Sequence, residues 1–112
     1  MKTSLNLKKI ESVKGKVIIP GSKSLSNRAL LVSSLAKGNT TLLNVLKSDD
    51  TARMIEALQT LSVKLNVNMN KIDIQGNDGV FSGDLCQKEL YLGNAGTAMR
   101  PLCSVLSVSK GV

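Results

Sequence analysis

The spacing of apolar positions along this chain changes period several times, and each change predicts an element. Residues 4–10, Ser-Leu-Asn-Leu-Lys-Lys-Ile, alternate polar and apolar. Residues 13–19 do so less strictly after Lys14-Gly15, so two short strands are expected. From Ser24 or Ser26 onward Leu25, Ala29, Leu30, Val32, Ser33, Leu35 and Ala36 follow helical spacing as far as Lys37, and Gly38 is placed as a left-handed cap. That helix is apolar enough to be expected well buried. Residues 40–45 read as a strand leading into Ser48-Asp49-Asp50, where a polar cap and two carboxylates open a second helix over 51–61 with Met54, Ile55, Leu58 and Leu61 on one stripe. The period then returns to two. Val63, Leu65, Val67 and Met69, followed by Ile72 and Ile74, alternate with polar residues and predict a hairpin turning near Asn70-Lys71. A loop at 76–79, a polar stretch of no clear type at 81–85, a strand at 89–92, a glycine turn at 93–96 and a helix at 97–107 complete the reading.

The order over residues 16–75 is thus β-α-β-α-β-β, an α/β (α+β) arrangement. A strand, a Gly- or Ser-rich turn and a helix occur twice, at 20–28 and at 93–100, which hints at an internal repeat. The first of these turns, Pro20-Gly21-Ser22-Lys23-Ser24-Leu25-Ser26-Asn27-Arg28, concentrates the chemistry. Pro20 and Gly21 break the strand, the serines offer hydroxyls and capping, and the first N–H groups of a helix lack internal partners. Lys23 and Arg28 add two cations at the positive end of the helix dipole, which suits a phosphate or carboxylate. It is not a P-loop, because Ser22 rather than glycine precedes Lys23. A solvated serine-rich cap with two exposed cations fits the same residues.

Composition narrows the partners. The 112 residues carry 15 Lys and Arg against 8 Asp and Glu, for a formal net charge of +7. Lysines fall in almost every loop rather than in one patch, and Phe81 and Tyr91 are the only aromatic residues. That describes a basic surface better than a nucleic-acid groove, so no nucleic-acid partner is expected. No apolar run is long enough to span a bilayer and no signal core follows the N-terminal lysines, so a cytoplasmic location and no membrane partner are expected. Cys86 and Cys103 lack CxxC spacing and the chain has no histidine, so no metal site is expected. Both cysteines are read as reduced, and Cys103 as a small buried hydrophobe on a helix.

Three motifs in order carry a resemblance. Pro20-Gly21-Ser22-Lys23-Ser24 with Ser26-Asn27-Arg28, then Ser48-Asp49-Asp50, then Leu92-Gly93-Asn94-Ala95-Gly96-Thr97-Ala98-Met99-Arg100-Pro101-Leu102 closely resemble the N-terminal part of the 5-enolpyruvylshikimate-3-phosphate (EPSP) synthase family. The resemblance covers the whole chain and on the order of a quarter of such an enzyme. It implies the enolpyruvyl transferase fold of repeated βαβαββ units, with one complete unit and the start of a second in this chain. Residues 1–19 then correspond to strands of the second domain, and residues 20–112 to an incomplete first domain. The implied reaction transfers the enolpyruvyl group of phosphoenolpyruvate to the 5-hydroxyl of shikimate 3-phosphate, on the route to chorismate and the aromatic amino acids. No cofactor is implied. The implied partners are the two substrate anions, glyphosate as an inhibitor, and a C-terminal domain in cis, with a monomer at full length.

The resemblance assigns Lys23 to both substrates, Ser24 and Arg28 to shikimate 3-phosphate, and Asn94 and Gly96 to phosphoenolpyruvate. These assignments suit the residue types, since an ammonium serves two neighbouring anions and a guanidinium fork suits one oxyanion. Gly96 lets backbone approach a ligand and offers an N–H at a helix start, or is needed only for its turn. Thr97 and Arg100 are possible supporting residues, with Pro101 shaping the same helix. Arg100 also fits a solvated cation or a partner for Asp49 or Asp50. Asp49 is a further supporting candidate, although carboxylates in a first helical turn are read as capping groups before an acid–base pair. The family's proton-transfer groups lie in its second domain, so no catalytic residue is assigned in this chain. Two other readings stand beside this one: a non-catalytic anion-binding remnant, and a relative acting on UDP-N-acetylglucosamine, which would need a different lysine turn and a reactive cysteine.

Overall fold

A computed structural model describes residues 3–81, 85 and 87–109. Six elements follow one another: α1 (Lys23–Leu35), β1 (Asn39–Leu43), α2 (Asp49–Thr60), β2 (Lys64–Val67), β3 (Lys71–Gln75) and α3 (Gly96–Ser107). The expected unit is therefore present from its first helix to its hairpin. The expected strands at 4–10 and 13–19 are absent: that segment has no secondary structure, and its apolar side chains Leu5, Leu7, Ile10, Val17 and Ile18 are exposed. A strand exists only where another strand accepts its ladder, and no edge among the described residues meets this arm. The expected strand at 89–92 fails for the same reason, although Leu92 itself is buried. Cys86 and the end of the chain from Lys110 lie outside the described residues.

The three strands form an antiparallel sheet in the order β1-β3-β2. β3 is central, with Ile72 and Ile74 buried toward the helices, and Thr41, Asn66 and Asp73 share the opposite, polar face. This alternation is what a sheet with one wet face requires. One core cluster joins Leu30 and Leu31 of α1, Met54 and Leu58 of α2, Ile74 of β3 and Leu102 of α3, with Phe81 sealing it.

Helix starts differ from expectation in instructive ways. Ser22, not Ser24 or Ser26, caps α1, its hydroxyl accepting from Leu25 N at 3.4 Å. The buried Ser26 hydroxyl accepts instead from Leu46 N at 3.0 Å, fastening α1 to the loop before α2. Close contact there forbids a side chain at Gly21, where a Cβ would strike the Asn44 carbonyl oxygen and approach Leu46 N to 2.9 Å. α2 begins two residues early, at Asp49, because Ser48 and Thr51 form a reciprocal capping box.

α1 is also less buried than its composition suggests. Leu30 and Leu31 face the core together with Asn27, Ser33 and Ser34, whereas Leu25 and Val32 are exposed. Cys103 is exposed on α3, contrary to the expectation of a buried hydrophobe, because Ala98 and Leu102 take that helix's buried stripe. Asn27 is 0% exposed, and its Nδ2 donates to Thr97 Oγ1 at 2.8 Å, which ties α1 to the first turn of α3.

Leu58→Ala will lower unfolding stability by about 2–5 kcal/mol through the cavity it leaves, whereas Val32→Ser, at a side chain 66% exposed, will change it by under about 0.5 kcal/mol; urea titration of both variants checks this. The Thr41 hydroxyl, and after it Lys71, hold the Asp73 carboxyl below its ordinary 3.8. Its folded value is depressed, so this contribution is present above the unfolded value and vanishes as pH falls through the lower folded one. Asp73→Asn will therefore flatten the loss of stability below about pH 4 in an acid titration. Thr97→Val will cost about 1–3 kcal/mol by stranding a buried amide donor, and the double variant Asn27→Leu/Thr97→Val will cost less than the sum of the two single changes.

Candidate functional site

The starts of α1 and α3 border one open cleft of about 490 Å³. Lys23, Ser24 and Arg28 line it from α1, while Asn94, Gly96, Thr97 and Arg100 line it from the second turn and α3. Residues some seventy positions apart thus share one cavity. The local reason is the bond between Asn27 and Thr97, which sits directly behind this surface.

The three serines of the first turn have separate tasks. Ser22 caps and Ser26 holds the loop, which leaves Ser24 as the one that faces the cleft. The positive ends of two helix dipoles converge here. No side chain caps α3 at Ala95, but the Ala98 and Met99 N–H groups both donate to the Ala95 carbonyl at 2.9 Å, so among the described residues Thr97 is the first-turn amide left open to an external acceptor. The Gly96 N–H donates to the Asn94 carbonyl at 2.9 Å. Its contribution is space: a Cβ built there meets nothing within 4 Å and would project from the wall. Pro101 lacks an N–H, so the Thr97 carbonyl at the same wall loses its usual partner four residues on.

Lys23, Arg28 and Arg100 place three cations around this space against one carboxylate, that of Asp50. Asp50 Oδ2 lies 2.9 Å from Lys23 Nζ. It restrains the ammonium at the mouth of α1 and leaves the cleft with an excess of positive charge, the arrangement that attracts a small polyanion.

Asp49, the carboxylate singled out in the sequence, does not line the cleft. It points along the surface of α2 toward Arg53, 3.7 Å from Arg53 Nε, and the inward position falls to Asp50. The helical phase carries the signal for this: Asp50 is spaced four and seven residues from the buried Met54 and Ala57, whereas Asp49 has the same spacing to the surface residues Arg53 and Glu56. Asn27 was legible in the same way. It falls on the stripe of Leu30, Leu31 and Ser34, where a polar residue must find a partner.

Among the described residues no group of three or more His, Cys, Asp or Glu is placed to hold a metal ion, and no helix is long and apolar enough to cross a membrane. What the cleft can do is bind anions and orient them between two helix ends.

Comparison with known proteins bears on which anions. The family model described as EPSP synthase (3-phosphoshikimate 1-carboxyvinyltransferase) matches residues 7–112. The 3-phosphoshikimate 1-carboxyvinyltransferase of Shewanella sp. (strain ANA-3) is 50% identical over 109 residues, covering 96% of this chain and 25% of that protein. The protein of the same name from Sulfurovum sp. (strain NBC37-1) is 48% identical over 110 residues, again covering 96% of this chain and 26% of its own length. In structure, EPSP synthase from Acinetobacter baumannii superposes with a TM-score of 0.75 at 31% identity, over 86% of this chain and 22% of that one. This chain thus spans about a quarter of the curated relatives it matches. With a family match along nearly its whole length and the fold to go with it, the chain belongs to the EPSP synthase family.

Proposed function

We propose that this chain forms one wall of the site at which the enolpyruvyl group of phosphoenolpyruvate passes to the 5-hydroxyl of shikimate 3-phosphate. In that reaction the hydroxyl loses its proton as its oxygen bonds to the enolic carbon, the methylene carbon of the C=C bond gains a proton to give a tetrahedral intermediate, and departure of inorganic phosphate with loss of a methyl proton restores the double bond. Both reactants are anions, and holding them side by side demands a cationic surface. The observation that carries the reading is the convergence of Lys23, Arg28 and Gly96, from two turns far apart in sequence, on one cleft in a member of this family.

Lys23 at the mouth of α1 serves both anions, and Asp50 keeps its ammonium in place until they arrive. Ser24 and the planar fork of Arg28 take shikimate 3-phosphate. Asn94 and the bare backbone of Gly96 form the phosphoenolpyruvate side, which glyphosate would share as an inhibitor. Thr97 and Arg100 shape and charge the wall, and Asp49 supports it indirectly, through Arg53. No cofactor is required. The groups that move protons come from a facing wall that these 112 residues do not provide, and the arm before Pro20 belongs with that second domain. A cytoplasmic, monomeric enzyme of aromatic amino-acid biosynthesis is the setting this function suits.

Calorimetric or NMR titration of the 112-residue chain with each substrate tests the reading. Lys23→Ala will weaken both anions by about 10-fold or more, the size of a lost charge-assisted hydrogen bond. Gly96→Ala will fold normally, because its Cβ meets open space, and will weaken phosphoenolpyruvate while leaving shikimate 3-phosphate unchanged. Undiminished binding in Lys23→Ala would sink the assignment. Phosphate release from the two substrates by these 112 residues alone would show that no facing wall is needed.

A further inference from the structure

Arg53 is held in more ways than a solvated helix cation requires. Its Nη1 lies 2.9 Å from Glu56 Oε2 and its Nε 3.7 Å from Asp49 Oδ1, so carboxylates on both sides along α2 fix the plane of the guanidinium. Glu56 foremost raises its already high pKa, which keeps the group charged. The guanidinium carbon lies over the ring of Tyr91, 5.0 Å from the ring centroid. The Nε is buried and has no hydrogen-bond partner, a cost accepted where stacking sets the position of the group.

Tyr91 reaches onward. Its Cε1 and hydroxyl oxygen lie 4.0 Å from the place a Cβ on Gly93 would occupy, and Gly93 adopts a φ of +51°. The next residues are Asn94, Ala95 and Gly96. This turn has no strand ladder to hold it: its backbone bonds run from Ala95 N to Leu92 O at 3.0 Å and from Gly96 N to Asn94 O at 2.9 Å. Leu92 and Ala95 anchor its inner side in the core. On its outer side the Tyr91 ring, itself 72% exposed, flanks Gly93 and lies under the Arg53 guanidinium.

We infer that Arg53 is a positioning residue: through Tyr91 it fixes the turn that presents Asn94 and Gly96 to the cleft, and so sets the affinity of the phosphoenolpyruvate side. The inference rests on the function proposed above for that side. A lysine at position 53 would supply charge without a flat face to stack, so the role belongs to the guanidinium.

Amide hydrogen exchange and substrate titration of the 112-residue chain together decide the matter. Arg53→Ala will speed exchange at the hydrogen-bonded turn amides of Ala95 and Gly96 by about three-fold, the size of an exposed cation–π contact, with the β3 amides unchanged. It will weaken phosphoenolpyruvate by a similar factor and leave shikimate 3-phosphate binding as it was. Tyr91→Phe keeps the ring and will behave as the unsubstituted chain, Tyr91→Leu will match Arg53→Ala, and the double variant will be no worse than either. Unchanged exchange in the turn, equal weakening of both substrates, or additive effects of Arg53→Ala and Tyr91→Leu would overturn the inference. Should the unsubstituted chain bind neither substrate, the proposed function fails, while the exchange comparison still decides whether Arg53 holds the turn.

Discussion

The cleft depends on one hydrogen bond between two helices that the sequence separates by seventy residues. Asn27 is fully enclosed and spends its amide on the hydroxyl of Thr97, at the first turn of α3. Apolar packing alone would let α3 slide along α1, because dispersion has little directional preference. A buried amide does not allow this, since a shift of an ångström or two leaves its donor unpaired at a cost of about 1–3 kcal/mol. The bond therefore fixes the axial register of the two helix starts, and with it the spacing between Lys23 and Arg28 on one side and Asn94 and Gly96 on the other. Asn27 Oδ1 has no partner, so even this polar contact is only half satisfied. An apolar pair would pack as well and specify less.

Much of this arrangement was legible in the chain because local physics and tertiary need coincide. The α2 stripe, the hairpin of β2 and β3 and the glycine turn before α3 each follow from spacing that a neighbour merely confirms. The failures have a common cause. Residues 4–10 and 13–19 alternate as strands do, yet alternation records only which face seeks burial and says nothing of whether a partner edge exists. α1 misled in a similar way, since a helix rich in Leu, Val and Ala can bury the polar Asn27 and Ser34 beside two leucines while Leu25 and Val32 stay exposed. The candidate site shows the same division. Residue types in the two turns singled out the positions that share the cleft, whereas the choice between Asp49 and Asp50 needed the phase of α2 relative to α1, which a motif does not encode.

Converging cations has a thermodynamic consequence. Lys23, Arg28 and Arg100 repel one another across a shared cavity, and the starts of α1 and α3 add positive potential of their own. Asp50 offsets part of this, but only for Lys23, and both members of that pair retain solvent exposure, so the pair is worth little by itself. Buried contacts, from Asn27 to Leu102, pack behind this wall and hold its cations in place. An anion that enters this space offsets their charge and adds its own bonds, and whatever binds the folded chain alone stabilises it by mass action. Removing one of these cations would relieve repulsion within the folded wall and at the same time lower the positive potential an anion would meet there, so stability and anion binding respond to such a change in opposite directions.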